Sequence, residues 1–523
     1  MPPVGSKRKA EDSLSDNDSS DSSVKKNEVM EIESEDEIDW DNINKIIKVP
    51  PKTKKITGFH LMPTCLPQPR VKEEKQVLLN KSVKDSLAEY FKVNWDGNKS
   101  FDNEHFEIIT KPWKACVIKN LLDDDTILKD VRQEFYELNW NKRRLDLYNF
   151  HQSVDLKHLQ LRNINLIYDF FKNDLMSLVS KLMNFELTHI SATCSFYADT
   201  DYLLVHDDQQ DDRVVAFVLY FSDVQDWCES WGGALQLFNC DDNYQPSVVE
   251  RSISPRNNQL VLFPVSPISY HQVEEIKKKN FSRYSINGWF HGKTVPSSIL
   301  PTYKRRNEPV INIIVSDIDL NEFINPIYLD QENIVDIQSQ IETSSEISLL
   351  SYFKDDFYDQ INDALESSEL KWKFVGPSNR CCYEVLEEYT KFEPIQILLQ
   401  IFQSEVMLRL LKSYTDLELV GQMKYEIQRW SAGCYSLFND SKTSEYAELE
   451  LVMYFGCEKI VGGNIQYVDR EEEVQTALVT LEKTSNTLNI IYTDTDRINH
   501  YVSKYTEDPF YILLCKYNET AIK

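Results

Sequence analysis

Apolar residues are sparse in positions 1–45, where Ser, Asp, Glu and Lys dominate, and recur with regular spacing from about Lys81 onward. A stretch so poor in buriable surface cannot offset the entropy of ordering it, so 1–45 is expected to be a disordered acidic tail. In 82–91, 124–138 and 164–183 the apolar positions fall three and four residues apart, which predicts helices, the first with Ser82 and Asp85 near its start. After Thr188 the period changes. The runs 192–197, 214–221, 234–238, 259–265 and 284–290 are short and β-rich, separated by turn-formers such as Gly232-Gly233 and the segment 255–258. Strands at such intervals predict a sandwich or jelly roll buttressed by the helices.

Residues 293–345 carry Pro296, Pro301, Pro309 and Pro326 and read as a connection, with a second globular region beginning near Leu349. That region follows the first in outline. Cys434-Tyr435-Ser436-Leu437-Phe438 parallels 194–197, 449–455 parallels 214–221, Gly462-Gly463 parallels Gly232-Gly233, and 488–491 with His500 parallels 260–263 with His271. Unrelated jelly rolls also share Gly-Gly turns and apolar strands, but the common order predicts a duplicated domain. The expected architecture is mainly β with supporting helices (α+β): tandem double-stranded β-helix (jelly-roll, cupin-like) domains at 80–295 and 346–523, joined by 296–345.

Composition fits this outline. At 523 residues the chain exceeds one ordinary domain, and 41% hydrophobic with 12% aromatic residues supplies the cores. Lys and Arg number 57 against 84 Asp and Glu, a net charge of −27. Such a chain is repelled by phosphates, so direct nucleic-acid or anionic-membrane binding is not expected and a basic partner is favoured. The acidity is uneven, with 6 basic against 13 acidic residues in 1–45 and 17 against 30 in 346–523. Ten scattered Cys, among which the adjacent Cys381-Cys382 lacks metal-finger spacing, and the absence of a long apolar run point to a reducing, intracellular, soluble setting. Lys7-Arg8-Lys9 with Lys25-Lys26 reads as a nuclear import signal or a solvated basic cluster; nucleus and cytoplasm are both expected locations. The serines at 13, 15, 19, 20, 22 and 23 suit phosphorylation or simple solubility.

The chemistry concentrates in three places. His206-Asp207-Asp208 sits on a loop before the strand 214–221, and His271 follows the strand 259–265 and the turn Ser266-Pro267. Two imidazoles and a carboxylate on a rigid barrel end form the 2-His-1-carboxylate face that leaves iron positions open. In extended backbone the pair His206 and Asp208 projects to one side while Asp207 faces away. Arg283, at the start of 284–290, offers a fixed charged fork for the distal carboxylate of a diacid. Tyr197 and Tyr220 could aim hydroxyls at the same group, and Trp289 could wall the pocket; each also fits as a plain core aromatic.

These residues fall in stretches that closely resemble a known family. Cys194-Ser195-Phe196-Tyr197, His206-Asp207-Asp208, Trp231-Gly232-Gly233, Ser269-Tyr270-His271-Gln272-Val273 and the run from Ser282-Arg283-Tyr284 to Trp289-Phe290-His291-Gly292, with the earlier Tyr148-Asn149-Phe150-His151-Gln152, resemble the 2-oxoglutarate- and Fe(II)-dependent prolyl 3-hydroxylases that modify the decoding-centre protein of the small ribosomal subunit. The likeness runs from about residue 80 to the C-terminus. It implies that His206, Asp208 and His271 bind iron and that Tyr197, Tyr220 and Arg283 bind 2-oxoglutarate. It further implies O₂ as cosubstrate, ascorbate as an optional reductant, a ribosomal-protein substrate, an effect on translation, and no separate acid–base dyad. The second region has no His-x-Asp after 434–438, and Pro509-Phe510 stand where an arginine is needed, so it is expected to be a metal-free copy.

Two other readings use the same residues. A zinc hydrolase also accepts His/Asp/His with an open water position, although hydrolysis gives no reason for a diacid clamp. A non-enzymatic scaffold would leave the intact triad unexplained.

Overall fold

The computed structural model describes residues 76–519 except 211, 223–226, 295–296, 304–305, 307, 439–446, 458 and 472–473. The acidic tail, its basic clusters and its serines lie outside the described residues.

The first sheet is built on eight strands: β1 (Leu187–Tyr197), β2 (Tyr202–His206), β3 (Arg213–Tyr220), β4 (Leu235–Cys240), β5 (Pro246–Ile253), β6 (Leu260–Pro264), β7 (His271–Val273) and β8 (Arg283–Gly292). Hydrogen-bonded neighbours run in the order β6-β3-β8-β1, then the strand Tyr148–Gln152, then β2-β7-β4-β5, all antiparallel. Strands β1, β3, β6 and β8 thus form one four-stranded half and β2, β4, β5 and β7 the other, the double-stranded β-helix order. The apolar run 214–221 reads as continuous because both its faces are buried. Val215, Phe217 and Leu219 pack with Ile164, Ile167, Phe171 and Val179 of the helical stretch 162–183, whereas Ala216 and Tyr220 pack with Leu235, Leu237 and Phe263 inside the barrel.

The second sheet repeats this design with β9 (Gln422–Trp430), β10 (Tyr435–Ser436), β11 (Glu448–Phe455), β12 (Ile465–Glu471), β13 (Val474–Thr480), β14 (Thr487–Thr493), β15 (Asp496–Asn499) and β16 (Phe510–Tyr517). Its order is β14-β11-β16-β9, then Cys381–Glu388, then β10-β15-β12-β13. Even the bridging strand has its counterpart. The stretch 296–345 contributes to this half: Val310–Asn312 pairs with β9, and the helix Gln331–Ser344 buries Ile334, Ile337 and Ile341 in its core.

Register shows which residues correspond. Val273 opposes Leu235 and His271 opposes Leu237; Asn499 opposes Ile465 and Arg497 opposes Tyr467. The Gly-Gly pair stands two residues before both Leu235 and Ile465. Arg497 therefore occupies the position of His271, and His500, expected there, lies three residues further along. Phe510 opposite Trp430 holds the place of Arg283 opposite Tyr197, as the sequence predicts. The counterpart of 194–197 is the end of β9, so the run Cys434 to Phe438 corresponds to β2 instead. Both mismatches arise from matching short apolar motifs that recur on several strands.

The predicted helices are present with adjusted ends. The first is opened by Asn80, whose side chain accepts from the N–H groups of Ser82 and Val83, and passes through a wider turn over Leu87–Phe91. Asp124 caps Asp125–Phe135, and the 162–183 stretch ends on Asn184 in a left-handed conformation.

Candidate active site

His206 ends β2 and His271 begins β7, and the two stand directly opposite each other in the ladder. Both belong to strands, so His206 is not on the loop expected for it. Asp208 joins them by a different route from the extended backbone anticipated: its φ is +63°, left-handed, and this turn swings the carboxylate back toward the rings. Asp207 faces away and accepts the N–H of Gln209 at 2.9 Å. One Asp208 oxygen lies 3.4 Å from His206 Nε2 and the other 3.4 Å from His271 Nε2.

Each imidazole is oriented by a backbone carbonyl two residues before it. His206 Nδ1 lies 2.8 Å from Leu204 O, and His271 Nδ1 lies 2.8 Å from Ser269 O. A carbonyl only accepts, so Nδ1 carries the proton in the neutral ring and Nε2 presents its lone pair to the site. Burial acts to lower the His206 pKa, but the hydrogen bond and charge of Asp208 outweigh it and the net direction is upward. Asp208 is held well below the usual carboxylate range: burial would raise it, and the charges and hydrogen bonds of His271 and His206 prevail. Three donors within 4.8 Å of one another, two nitrogen and one carboxylate, fit a divalent transition metal bound on one face.

A cavity of about 510 Å³ connects this triad to Arg283. From β8 the inward residues Arg283, Ser285, Asn287 and Trp289 line it at the two-residue period of a strand. Arg283 is 2% exposed, and its guanidinium carbon lies 4.8 Å from the Tyr197 ring centre and 4.9 Å from that of Tyr220. Its Nη2 approaches the Tyr220 hydroxyl at 3.4 Å, and its Nε has no hydrogen-bond partner among the described residues. Among the described residues it makes no ion pair, and a buried cation without a counterion is costly unless an anion joins it. Burial raises the pKa of both tyrosines against the opposing pull of Arg283, so both stay protonated donors. Tyr197 lines the cavity; Tyr220 reaches it only through Arg283. Beside it Gly233 has a φ of +74°, and a Cβ there would run into the Ile276 side chain while only touching Arg283 Cδ.

Sequence reasoning missed Arg213, whose guanidinium stacks 3.6 Å over the Trp289 ring and whose Nη1 lies 3.3 Å from the Asp208 carbonyl. It also missed the two orienting carbonyls, which have no side-chain signature. A second group within ligating reach, His189, Asp212 and His291, is of another kind. There His291 engages both nitrogens, on Asp212 Oδ1 and Ser191 Oγ at 2.7 Å each, and the two rings stack at 4.4 Å.

Barrel, triad and buried arginine together define the class of 2-oxoglutarate- and iron-dependent oxygenases. The family model of the 2OG-Fe(II) oxygenase superfamily matches residues 192–291, and that described as oxoglutarate and iron-dependent oxygenase degradation C-term matches 316–523. The prolyl 3-hydroxylase sudestada1 of Drosophila melanogaster is 32% identical, over 86% of this chain and 92% of its own length. The prolyl 3-hydroxylase OGFOD1 of Mus musculus is 28% identical, over 82% and 92%. The chain belongs to this prolyl 3-hydroxylase family and is a 2-oxoglutarate-dependent dioxygenase acting on prolyl residues of a protein. Among solved structures, a Pseudomonas putida prolyl-4-hydroxylase aligns with a TM-score of 0.29 and 20% identity, over 34% of this chain and 93% of its own. The hydrolase and scaffold readings give way to the oxygenase.

Proposed function

We propose that His206, Asp208 and His271 hold the ferrous ion, that Arg283 with Tyr197 and Tyr220 holds the distal carboxylate of 2-oxoglutarate, and that the enzyme hydroxylates C3 of a proline in a small-subunit ribosomal protein, with an effect on translation. One observation carries the site assignment: the two Nε2 atoms and the Asp208 carboxylate converge in the same cavity as a buried arginine that makes no ion pair among the described residues. When bound, iron and 2-oxoglutarate supply O₂-driven oxidation of an unactivated C–H bond, with succinate and CO₂ as coproducts.

The side chains bind and orient. The Leu204 and Ser269 carbonyls fix both imidazoles, Arg283 sets the direction of the diacid, and Trp289 under Arg213 closes the wall behind it. The position of hydroxylation is supported by the names of the relatives, and the basic ribosomal client by the charge of −27. Ascorbate serves as an optional reductant, and the enzyme works in cytoplasm and nucleus. The second barrel, with Arg497 at the place of His271 and Phe510 at that of Arg283, is not catalytic.

The test is anaerobic loading with Fe(II), followed by 2-oxoglutarate, oxygen and peptides from the decoding-centre protein. Expected readouts are succinate and a peptide mass gain of one oxygen. His206→Ala abolishes both, whereas Arg283→Ala raises the 2-oxoglutarate KM by about tenfold or more, the scale of losing a charged hydrogen-bond partner. Full activity in the His206 variant would refute the metal assignment.

A further inference from the structure

The cavity that holds the triad continues toward the second barrel. A cleft of about 400 Å³ shares Arg143, Leu147, Tyr148 and His206 with it. The far wall of this cleft is supplied by Asn379, Arg380, Leu437 and Phe438, all from the half of the chain that forms the second barrel.

That wall is fixed in place. The Phe438 N–H donates to the carboxylate of Asp146, a residue of the first half that is 4% exposed, at 2.6 Å, and the Leu437 N–H donates to the Arg380 carbonyl at 2.8 Å. The Arg380 guanidinium lies 4.4 Å from the Tyr303 ring centre. Asn379 adds a buried side-chain oxygen that no donor among the described residues reaches.

An extended peptide needs donors and acceptors for its backbone at short intervals and apolar ground for alternate side chains. The cleft offers both, with Arg380, Asn379 and Asp207 among Leu437, Phe438 and Tyr270. The alternative, a peptide lying across the mouth without touching the second barrel, would leave this wall without a role beside the ligand His206. A substrate chain lying in the cleft gives this wall, beside His206, a use.

We propose that the polypeptide carrying the target proline lies in this cleft, so that the second barrel completes the substrate site through Asn379, Arg380, Leu437 and Phe438. The inference rests on the assignment of His206 as an iron ligand and adds to it where the substrate chain runs and which residues of the other barrel select it.

The experiment uses the full chain and the decoding-centre peptide. Asn379→Trp fills the cleft and Arg380→Ala removes its cationic donor. Each raises the peptide KM about tenfold or more, with kcat and the 2-oxoglutarate KM near those of the parent. Arg380→Lys recovers part of the loss, which a merely structural role for Arg380 would not produce. A photoreactive phenylalanine analogue in place of Phe438 forms an adduct with the peptide, independently of any change in folding. Unchanged peptide KM in both variants and no adduct at 438 would overturn the cleft. Failure of the parent protein to oxidise the peptide would count instead against the proposed function, since the adduct is scored without turnover.

Discussion

At the scale of single residues, the site depends on one left-handed backbone position. His-x-Asp was legible as a candidate ligand pair because its residue types and spacing are visible, but the reason it converges with His271 is the φ of +63° at Asp208, which spacing alone does not reveal. Asn tolerates that conformation nearly as well as Asp, whereas a branched side chain would add strain of about 1–2 kcal/mol. Asp208→Asn therefore separates charge from shape: without metal its thermal midpoint at neutral pH should fall, because the ionised carboxylate that His271 and His206 hold low lends stability there, while its Fe(II) affinity, measured by anaerobic titration, should fall at least tenfold. Wild-type affinity in this variant would show that the carboxylate is not a ligand. Arg283 was equally visible, because a lone arginine beginning an apolar strand is conspicuous. The Leu204 and Ser269 carbonyls were not, since every residue has one and only the fold selects which is used.

At the scale of elements, five of the eight strands of the first barrel were visible as apolar runs. β2, β5 and β7 were not: β7 spans three residues, and β5 is largely exposed between Pro246 and Ile253, so neither shows a burial pattern. The Gly-Gly turns were the most informative repeat. Gly232 and Gly462 have φ of +72° and +80°, and a Cβ on either would meet the carbonyl of Glu275 or Tyr501, residues at matching positions in the two barrels. That same Glu275 joins the barrels. Its carboxylate, 1% exposed as a residue, accepts from the Lys504 N–H at 2.7 Å, from the Ser503 hydroxyl and from the Tyr501 hydroxyl at 3.4 Å, while Lys504 Nζ pairs with Glu274 at 2.5 Å. Burial raises the Glu275 pKa despite these donors. A carboxyl raised in the folded state lends stability below its unfolded pKa and loses it as pH rises through the folded value. Glu275→Gln keeps an acceptor for Lys504 and a donor for Ser503 without the charge. Thermal melts from about pH 4 to 7 should therefore shift steadily in favour of the Gln variant relative to the parent. Glu275→Ala, which strands the Lys504 N–H, should instead be destabilised by about 1–3 kcal/mol across that range. A Gln variant that loses ground as pH rises would contradict the sign argued for Glu275.

At the scale of the molecule, duplication and charge are separate properties with separate consequences. The second barrel keeps the strand order of the first and has turned its interior to other use: Arg497, at the place of His271, lies 4.0 Å from Glu450, which accepts from Tyr467 at 2.7 Å and pairs with Lys516 at 3.2 Å. This buried ion cluster has no counterpart in the sequence pattern, because its members sit on four strands and none is close to another along the chain. Net charge, by contrast, is fully legible without a fold and speaks only to partners. A surface carrying −27 attracts a basic substrate over distances that salt shortens, since the screening length is about 10 Å at 0.1 M ionic strength. The diacid proposed for Arg283 would meet its partner inside the barrel, where Arg283 is buried and screening is weak. Raising ionic strength from about 0.05 to 0.3 M should therefore depress kcat/KM for a basic peptide severalfold and leave the 2-oxoglutarate KM nearly constant. Parallel loss in both constants would mean that salt acts on the fold or the metal site. A salt-insensitive peptide reaction would mean that the acidic surface takes no part in substrate capture, and that selection rests on the side chains lining the route to His206.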